Sequence, residues 1–136
     1  MRSISENDLS LLELARKAAE SAYCPYSRFP VGAAIETDLG HFTGCNIENA
    51  SYSLGVCAER AAIHTAVAAG ARQIIRLAVS CRAARDTDPP GSRMPCGACR
   101  QVMAEFLSPS AEIAVDGAGV WTLEELLPCA FRLKEL

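Results

Sequence analysis

The sequence predicts an α/β fold, in which helices pack on the faces of one mixed sheet within a single domain over residues 1–136. Three observations support this prediction. Apolar residues recur at helical spacing near the N-terminus, two short alternating segments then form a hairpin pattern, and helical and strand-like segments alternate along the rest of the chain. Half of the 136 residues are hydrophobic, which suits one domain with a sizeable core.

The first three predicted elements are a helix and two strands. Residues 8–22 carry an apolar stripe near the helical period, and Ser5 with Asp8 offers a capping start. Prolines interrupt the pattern after this helix. Residues 31–37 and 41–47 then read as two strands joined by a short turn, which predicts a hairpin.

The later segments alternate between helix and strand. In chain order they are a helix over 57–69, a strand over 74–81, a loop over 82–94, a helix over 97–107 and a strand over 112–116. Gly70 closes the first of these helices. Thr122 and Glu125 form a capping box that opens a last short helix, and this helix ends before Pro128.

The charge balance and the cysteine content limit the classes of function. The net charge is −3, with 13 Lys and Arg against 16 Asp and Glu, so we expect no nucleic-acid partner. No apolar run approaches the ~18 residues that a membrane span needs, and we expect no membrane partner. The polar first residues lack the apolar stretch of a secretion signal. Seven cysteines in such a chain favour a reducing compartment, and we expect a cytoplasmic protein.

Two short fragments predict a metal site, Cys-Ala-Glu-Arg at 57–60 and Pro-Cys-Gly-Ala-Cys at 95–99. Each fragment opens a predicted helix, where free backbone amides lower the pKa of a thiol. Cys96 and Cys99 are three residues apart, so both sulfurs face the same way and can share an ion with Cys57. Three thiolates can hold zinc and leave its fourth position open, which is typical of a hydrolytic site.

Glu59 and Arg60 complete this inventory. Glu59 lies two residues beyond the first cysteine, and positions two apart on a helix do not face each other. We therefore expect Glu59 to miss the metal and to act as a general acid–base. Zinc with three thiolates carries a net negative charge, and Arg60 can compensate for this charge by hydrogen bonding to the sulfurs.

Other interpretations of the cysteines remain at this point. A single C-x-x-C could be a redox pair or half of a structural zinc site. A closed structural site would need a fourth ligand. Neither histidine is favoured as that ligand, because His41 occupies a turn and His64 lies further along the same predicted helix as Glu59. The remaining thiols are most simply small apolar residues, namely Cys24, Cys45, Cys81 and Cys129.

Five motifs in order resemble those of the short, homotetrameric cytidine deaminases, within the superfamily of zinc-dependent deaminases whose signature is His or Cys, x, Glu, then Pro-Cys-x-x-Cys. The matching segments are YSRFPVGAA at 26–34, NIENASY at 46–52, CAER at 57–60, PCGACRQ at 95–101 and LLPCAF at 126–131. This resemblance covers nearly the whole chain. It implies a three-layer α/β/α domain with a mixed, roughly five-stranded sheet, and hydrolytic deamination of cytidine and 2′-deoxycytidine with release of ammonia.

The resemblance also implies roles for individual residues. One Zn²⁺ per subunit would be bound by Cys57, Cys96 and Cys99, with Glu59 as the proton shuttle. The nucleoside would be bound by Phe29, Asn46, Glu48, Tyr52, Ala58 and Phe131. Phe131 would reach the base in a neighbouring subunit, which implies a homotetramer whose sites are shared.

Taken without the resemblance, these substrate residues have simpler interpretations. Phe29 and Phe131 would be core residues, and Asn46 and Glu48 a solvated strand end. The family usually has glycine where this chain has Cys129, so a left-handed backbone there would put strain on the cysteine.

Two rival functions follow from the same residues. The chain could deaminate a related cytosine nucleoside such as blasticidin S, or it could be a zinc-stabilised binding module without chemistry. The amide and carboxylate predicted to hold a ribose diol favour cytidine over the first alternative. The carboxylate of Glu59 and the open zinc position speak against the second.

Overall fold

A computed structural model describes residues 1–134, so the last two residues of the predicted domain, 135 and 136, lie outside the described part of the chain. Its elements are α1 (Glu6–Ala18), β1 (Gly32–Thr37), β2 (Gly40–Cys45), α2 (Ala58–Ala68), β3 (Ile74–Ser80), α3 (Gly97–Phe106), β4 (Leu107–Val115), β5 (Gly119–Thr122) and α4 (Leu123–Leu126). The strands form one mixed sheet in the order β2-β1-β3-β4-β5, in which only β3 and β4 are parallel. The predicted α/β class and the mixed five-stranded sheet are confirmed.

The first helix begins two residues earlier than the predicted 8–22. Ser5 is its N-cap, and the Asp8 carboxylate accepts hydrogen bonds of 2.8 Å from both the backbone N–H and the hydroxyl of Ser5. The regular helix ends at Ala18, and one 3₁₀ turn (Ala19–Ser21) replaces its predicted last turn. A capping pair thus marks a helix start well, whereas the end is set by what the chain packs against next.

The largest disagreement concerns the C-terminal half of the sheet. The predicted strand over 112–116 is the end of the nine-residue β4, which follows α3 directly. The sequence does not predict the short strand β5, because its four residues run into the capping box of α4, to which Thr122 itself belongs, and carry no alternating pattern of their own. It pairs with β4 from Gly119 opposite Val115 to Thr122 opposite Glu112.

The two faces of the sheet carry different packing. On one face, three alanines, Ala34, Ala78 and Ala114, underlie the leucines of α1. On the other face, larger residues such as Ile35, Leu77 and Ile113 pack against α2, α3 and α4. Because successive residues of a strand point to opposite faces, the same three strands supply both layers. Helices therefore cover both sides of the sheet, as the predicted three-layer architecture requires.

Two glycines allow helices to lie directly on the strand backbone. A Cβ atom at Gly32 would come within 1.9 Å of the Ala15 carbonyl oxygen of α1. A Cβ atom at Gly44 would come within 2.3 Å of the Ala62 backbone nitrogen of α2. Any side chain at either position would push a helix away from the sheet. The close contact at Gly44 brings α2, which begins with the CAER motif, onto the hairpin.

The register places several predicted site residues at one edge of the sheet. Gly32 of β1 lies opposite Cys45 of β2 and Ser80 of β3, so the residues just beyond these positions share that edge. The segments that leave or enter the sheet here include Asn46 and Cys81. Over residues 1–134, no helix has the length and apolar character that a membrane crossing requires.

Candidate active site

The three cysteines of the two fragments meet at the N-termini of two helices. Cys57 is the N-cap of α2 and Cys96 is the N-cap of α3, while Cys99 lies in the first turn of α3. Their sulfur atoms all lie within 4.8 Å of one another. The Sγ atoms of Cys57 and Cys96 are 3.9 Å apart, and those of Cys96 and Cys99 are 3.4 Å apart.

This sulfur cluster fits a zinc ion. Tetrahedral zinc with Zn–S bonds of about 2.3 Å requires sulfurs about 3.8 Å apart, close to the separations found here. Hydrogen bonding by Cys99, followed by Arg60 and Cys96, lowers the pKa of the Cys57 thiol to about 5 against the opposing effect of burial. A thiol with such a pKa is a thiolate at neutral pH, the form that binds a metal. The cluster suits one Zn²⁺ per subunit.

Arg60 contacts the cluster from one side. Its Nη2 lies 3.4 Å from the sulfur of Cys57, as expected for a cation that compensates thiolate charge. Among the described residues its buried Nε atom has no hydrogen-bond partner, which leaves a further donor beside the sulfurs. An unpaired buried donor is costly, and a negatively charged metal–thiolate group would offset that cost.

Glu59 is a buried acid next to the metal ligands, with only 4% of its surface exposed. Burial raises the pKa of its carboxyl group, and the negative charge of Cys57 adds to this effect. The cluster of possible metal ligands found among residues 1–134 consists of the three cysteines and does not include Glu59. Its position beside the sulfurs is the one that the helical spacing predicts for a proton-transfer group.

The cluster lies at the wall of a cavity of about 570 Å³. Such a volume lies within the range of small-molecule sites. Of the predicted substrate residues, the structure places five on this wall, Phe29, Asn46, Glu48, Tyr52 and Ala58, together with Cys57, Cys96, Glu59 and Arg60. The cavity therefore has thiols and a buried acid at one end and an amide with a carboxylate at the other.

Asn46 is held by backbone groups of the loop that precedes β1. Its Oδ1 accepts a 2.8 Å hydrogen bond from the Val31 N–H, and its Nδ2 donates a 2.9 Å hydrogen bond to the Phe29 carbonyl oxygen. One donor hydrogen and one acceptor lone pair of the amide remain for a ligand. Asn46 is thus not the solvated strand end that the residues alone favour.

Glu48 is held in the same way, by backbone groups that lie slightly earlier in the same loop. Its Oε1 accepts hydrogen bonds of 3.1 Å from the backbone N–H groups of Tyr26 and Ser27. Hydrogen bonding from Ser27 lowers the pKa of the Glu48 carboxyl group, so the group is ionised at neutral pH. A carboxylate in this position can accept hydrogen bonds from hydroxyl groups and repels phosphate.

Three further predicted residues differ in exposure. Ala58, the first residue of α2, is fully buried, and Phe29 is half-buried at the cavity. Tyr52 is 82% exposed, and its ring meets that of Tyr26 edge-on at a centroid distance of 6.3 Å. Tyr52 therefore lies at the mouth of the cavity, while Ala58 lies beside the metal ligands.

Phe131 is the one predicted substrate residue that the structure does not bring to the cavity of its own chain. It belongs to the C-terminal arm, which we define as residues 127–134, and 67% of its surface is exposed. Core packing, which the residues alone favour for Phe131, is therefore wrong. The backbone of Cys129 has φ +53°, so the left-handed conformation that usually requires glycine is indeed present there.

Sequence reasoning missed part of the cavity wall. Cys81, Ser92, Arg93 and Met94 line the cavity, although they belong to the predicted loop or its border. Burial raises the pKa of the Cys81 thiol to about 11, so this thiol is protonated and lies outside the sulfur cluster. The signal that was available is the position of this loop directly before the Pro-Cys fragment. Of the histidines, His41 is exposed on β2 and His64 is exposed on α2.

Comparison with known proteins shows that the chain is similar to zinc-dependent deaminases. The family described as the cytidine and deoxycytidylate deaminase zinc-binding region matches residues 5–114. A cytidine deaminase from Sporosarcina psychrophila is 45% identical over 131 residues, which cover 93% of this chain and 92% of that protein. A cytidine deaminase from Mycobacterium tuberculosis is 44% identical over 125 residues, with 90% and 87% covered.

Solved structures show the same similarity in three dimensions. The crystal structure of a cytidine deaminase from Burkholderia pseudomallei has a TM-score of 0.79 with this chain and 44% sequence identity. The match covers 94% of this chain and all of that one. The sheet, the helices on its two faces and the order of the motifs therefore belong to one common architecture.

Proposed function

Because the chain belongs to the cytidine and deoxycytidylate deaminase family, we propose that it deaminates cytidine and 2′-deoxycytidine to uridine and 2′-deoxyuridine. The observation that carries this proposal is the buried carboxyl group of Glu59 beside three clustered thiols, at one end of a cavity of about 570 Å³. A binding module would have no use for a buried acid with a raised pKa at that position.

Zinc would be held by Cys57, Cys96 and Cys99, where it would supply Lewis acidity and lower the pKa of water in the site. The helix N-termini and Arg60 stabilise the thiolate form of the ligands. Three negatively charged ligands weaken the Lewis acidity of the metal, and the Arg60 guanidinium offsets part of this effect by sharing the charge on the Cys57 sulfur.

Glu59 moves the protons of the reaction. As a carboxylate it takes a proton from the attacking water, whose oxygen forms a bond to C4 of the cytosine ring. Glu59 delivers that proton to N3, which makes C4 more electrophilic, and the N3–C4 double bond becomes a single bond as the oxygen attaches. Glu59 then takes the remaining proton from that oxygen and passes it to the exocyclic nitrogen. The C4–N bond breaks, the oxygen becomes the C4 carbonyl of the uracil ring, and ammonia leaves. The raised pKa of Glu59 suits this exchange, because the group must both accept and give up a proton near neutral pH.

At the other end of the cavity, the substrate is held by its ribose and its ring. Asn46 retains a free donor and acceptor, and Glu48 carries a negative charge, so together they suit the hydroxyl groups of ribose. The same charge disfavours a 5′-phosphate, which supports nucleosides as substrates. Phe29 would pack on the pyrimidine face, Ala58 would contact the base, and Tyr52 would border the mouth.

We further propose a homotetramer in which Phe131 completes the site of a neighbouring copy. The support is the exposed ring of Phe131 and a group of exposed apolar residues near the cavity mouth, including Tyr26, Tyr52 and Leu54. The seven cysteines are free thiols, which favours a reducing compartment, so we place the enzyme in the cytoplasm, in pyrimidine salvage.

Ammonia release from cytidine, measured with bound zinc, after chelation and after zinc is restored, tests the function. We expect activity with cytidine and 2′-deoxycytidine, its loss on chelation and its return with zinc. Cytidine 5′-monophosphate serves as the control substrate and should react poorly, because Glu48 repels its phosphate. Blasticidin S is assayed in parallel, and activity with this compound alone would make it the substrate in place of cytidine. Zinc binding without ammonia release from any of these compounds would identify a non-catalytic module.

A further inference from the structure

The C-terminal arm lies along α3 and is held there by backbone carbonyl groups. Gln101 donates a 3.0 Å hydrogen bond from Nε2 to the carbonyl oxygen of Phe131. On the next residue of the arm, the Arg132 guanidinium reaches back to the Ala104 carbonyl oxygen. An exposed ion pair between Lys134 and Glu105 adds little to this attachment. The arm is thus fixed at the residue that carries the exposed ring and at the residue after it.

The ring of Phe131 is exposed, whereas the residue before it packs against the core; Leu133, further along the arm, is exposed as well. Leu127 and Ala130 pack against the main hydrophobic core, and the Phe131 carbonyl is engaged by Gln101. The packing of Leu127 and Ala130 and the hydrogen bond to the Phe131 carbonyl fix the backbone that carries the Phe131 side chain. A large apolar side chain held in solvent by an ordered backbone indicates a contact with another molecule.

The root of the arm is tied to the metal-binding turn. Arg100 donates hydrogen bonds of 2.8 Å to the Pro95 carbonyl oxygen, just before Cys96, and to the Leu126 carbonyl oxygen at the end of α4. Three successive residues of α3 thus make three different contacts. Cys99 belongs to the sulfur cluster, Arg100 donates to the carbonyl at the root of the arm, and Gln101 donates to the carbonyl of Phe131. Within residues 1–134, Gln101 does not line the cavity of its own chain.

We propose that Gln101 is a positioning residue for the active site of the neighbouring copy, because it directs the Phe131 ring onto the nucleoside base bound there. This inference rests on the proposed function, in which Phe131 completes a partner's site. One helix then serves two sites: its first turn holds zinc in its own subunit, and the residue two positions after Cys99 aims an aromatic ring at the next subunit.

The expected effect follows from the strength of one hydrogen bond. Loss of the Gln101 contact should lower kcat/KM for cytidine about 3- to 10-fold, the range that one ordinary hydrogen bond supplies. The change should fall mainly on KM, since the ring contacts the bound base and takes no part in proton transfer. Zinc content should stay at the wild-type level, because the sulfur cluster is not altered.

The variant Gln101→Glu keeps the shape of the side chain but replaces the donor by an oxygen that faces the Phe131 carbonyl. Gln73→Glu is the matched control, since it makes the same change at an exposed position before β3, outside the contacts that hold the arm. We expect a raised KM for Gln101→Glu and wild-type kinetics for Gln73→Glu, with equal zinc content and equal oligomeric size in both variants.

Mixed oligomers separate a role in the neighbouring site from a role within the same subunit. Gln101→Glu subunits are co-expressed with Glu59→Ala subunits, each with its own affinity tag, and the hybrids are purified on both tags. In a hybrid, an intact site of a Gln101→Glu subunit can receive the arm of a Glu59→Ala subunit. We expect KM to return toward the wild-type value in a fraction of the sites, and activity per Glu59-bearing subunit to rise about threefold above that of Gln101→Glu alone.

A parallel hybrid of Phe131→Ala with Glu59→Ala separates the positioning role of Gln101 from the existence of a shared site. Recovery in both hybrids supports the role of Gln101. Recovery with Phe131→Ala but not with Gln101→Glu overturns the positioning role and leaves the shared site in place. Recovery in neither hybrid overturns the shared site and with it this inference, whereas unchanged kinetics in Gln101→Glu alone would refute the positioning role directly.

Discussion

The two ends of the cavity are built by different means. At the metal end, the cysteines lie on the first turns of two helices that pack on the sheet, and Glu59 is buried among them. At the sugar end, Asn46 and Glu48 follow β2, and their side chains hold the loop before β1 through hydrogen bonds to its backbone. Helix packing therefore holds the reactive groups, whereas at the sugar end the proposed binding groups themselves hold the structure. Substitutions at the metal end should act on metal binding or on proton transfer, and substitutions at the sugar end should change both substrate binding and stability.

The largest effect is expected at the sulfur cluster, with Cys99→Ala. Removal of one of three ligands should abolish both tight zinc binding and deamination, since within residues 1–134 the cluster of possible ligands consists of these three thiols. Zinc content by atomic absorption and ammonia release from cytidine measure the two losses. Cys81→Ala is the matched control, because its thiol lines the same cavity but lies outside the cluster. Deamination by a zinc-free Cys99→Ala enzyme would exclude the metal from the reaction.

At the same end, Glu59→Gln should remove chemistry and leave the metal bound. The amide has the shape of the carboxyl group but cannot shuttle protons, and general acid–base groups contribute roughly 100- to 10,000-fold to rate. We expect kcat to fall within that range while zinc remains at about one ion per subunit. Steady-state kinetics and metal analysis on the same preparation test this separation. Near-normal turnover would show that another group moves the protons.

At the sugar end, Asn46→Ala should affect the free protein as well as the reaction. Loss of the amide leaves the Val31 N–H and the Phe29 carbonyl without their partners, which should destabilise the protein by about 1–3 kcal/mol. It should also lower kcat/KM for cytidine, because the ribose loses a contact and Phe29 loses its support. Denaturant unfolding and kinetics are measured together. Asn49→Ala is the control, since Asn49 is exposed and its side chain accepts only a local hydrogen bond from Ser51. Unchanged unfolding would limit Asn46 to substrate binding.

Arg60→Gln should cause a smaller change at the metal end, in the pH at which zinc is released. The guanidinium helps to keep the pKa of Cys57 at about 5, below the ordinary thiol value, so its loss should raise that pKa. Protons would then compete with zinc at a higher pH, while the metal stays bound at neutral pH. We expect the acid release of zinc, followed with a colorimetric chelator, to begin about one pH unit higher. Arg82→Gln, at an exposed ion pair, should leave the release curve in place, and an equal curve for Arg60→Gln would remove its compensating role.

The same contrast explains how far the sequence predicts the molecule. That Cys96 and Cys99 face the same way was predictable, because spacing within a helical turn fixes which side chains meet, whereas the approach of Cys57 from a second helix was expected only from the motif pattern of the deaminases. The hydrogen bonds of Asn46 and Glu48 were not predictable, since they join segments that only the fold brings together. The sequence predicts only a small apolar role for Cys81, whereas this residue lines the cavity, because the end of a strand does not reveal what the next loop encloses. The short β5 was missed for a related reason, as its pairing with β4 determines it more than its own residues do.

The smallest expected effect concerns a backbone position of the arm. Cys129 has φ +53° and an exposed side chain, so it bears the cost of a left-handed conformation and gains little from packing. Cys129→Gly should therefore stabilise the protein by about 0.5–1 kcal/mol, since glycine adopts this conformation without a steric cost and gives back part of the gain as entropy of the unfolded chain. Cys129→Ala is the decisive control, because it removes the thiol and keeps the Cβ atom. An equal gain in both variants would assign the effect to the thiol, and no gain with glycine would show that packing or assembly around the arm already offsets the strain. Stabilisation by glycine alone would establish that this chain bears backbone strain in the segment that presents Phe131, whereas the metal end reaches its geometry through ordinary helix starts.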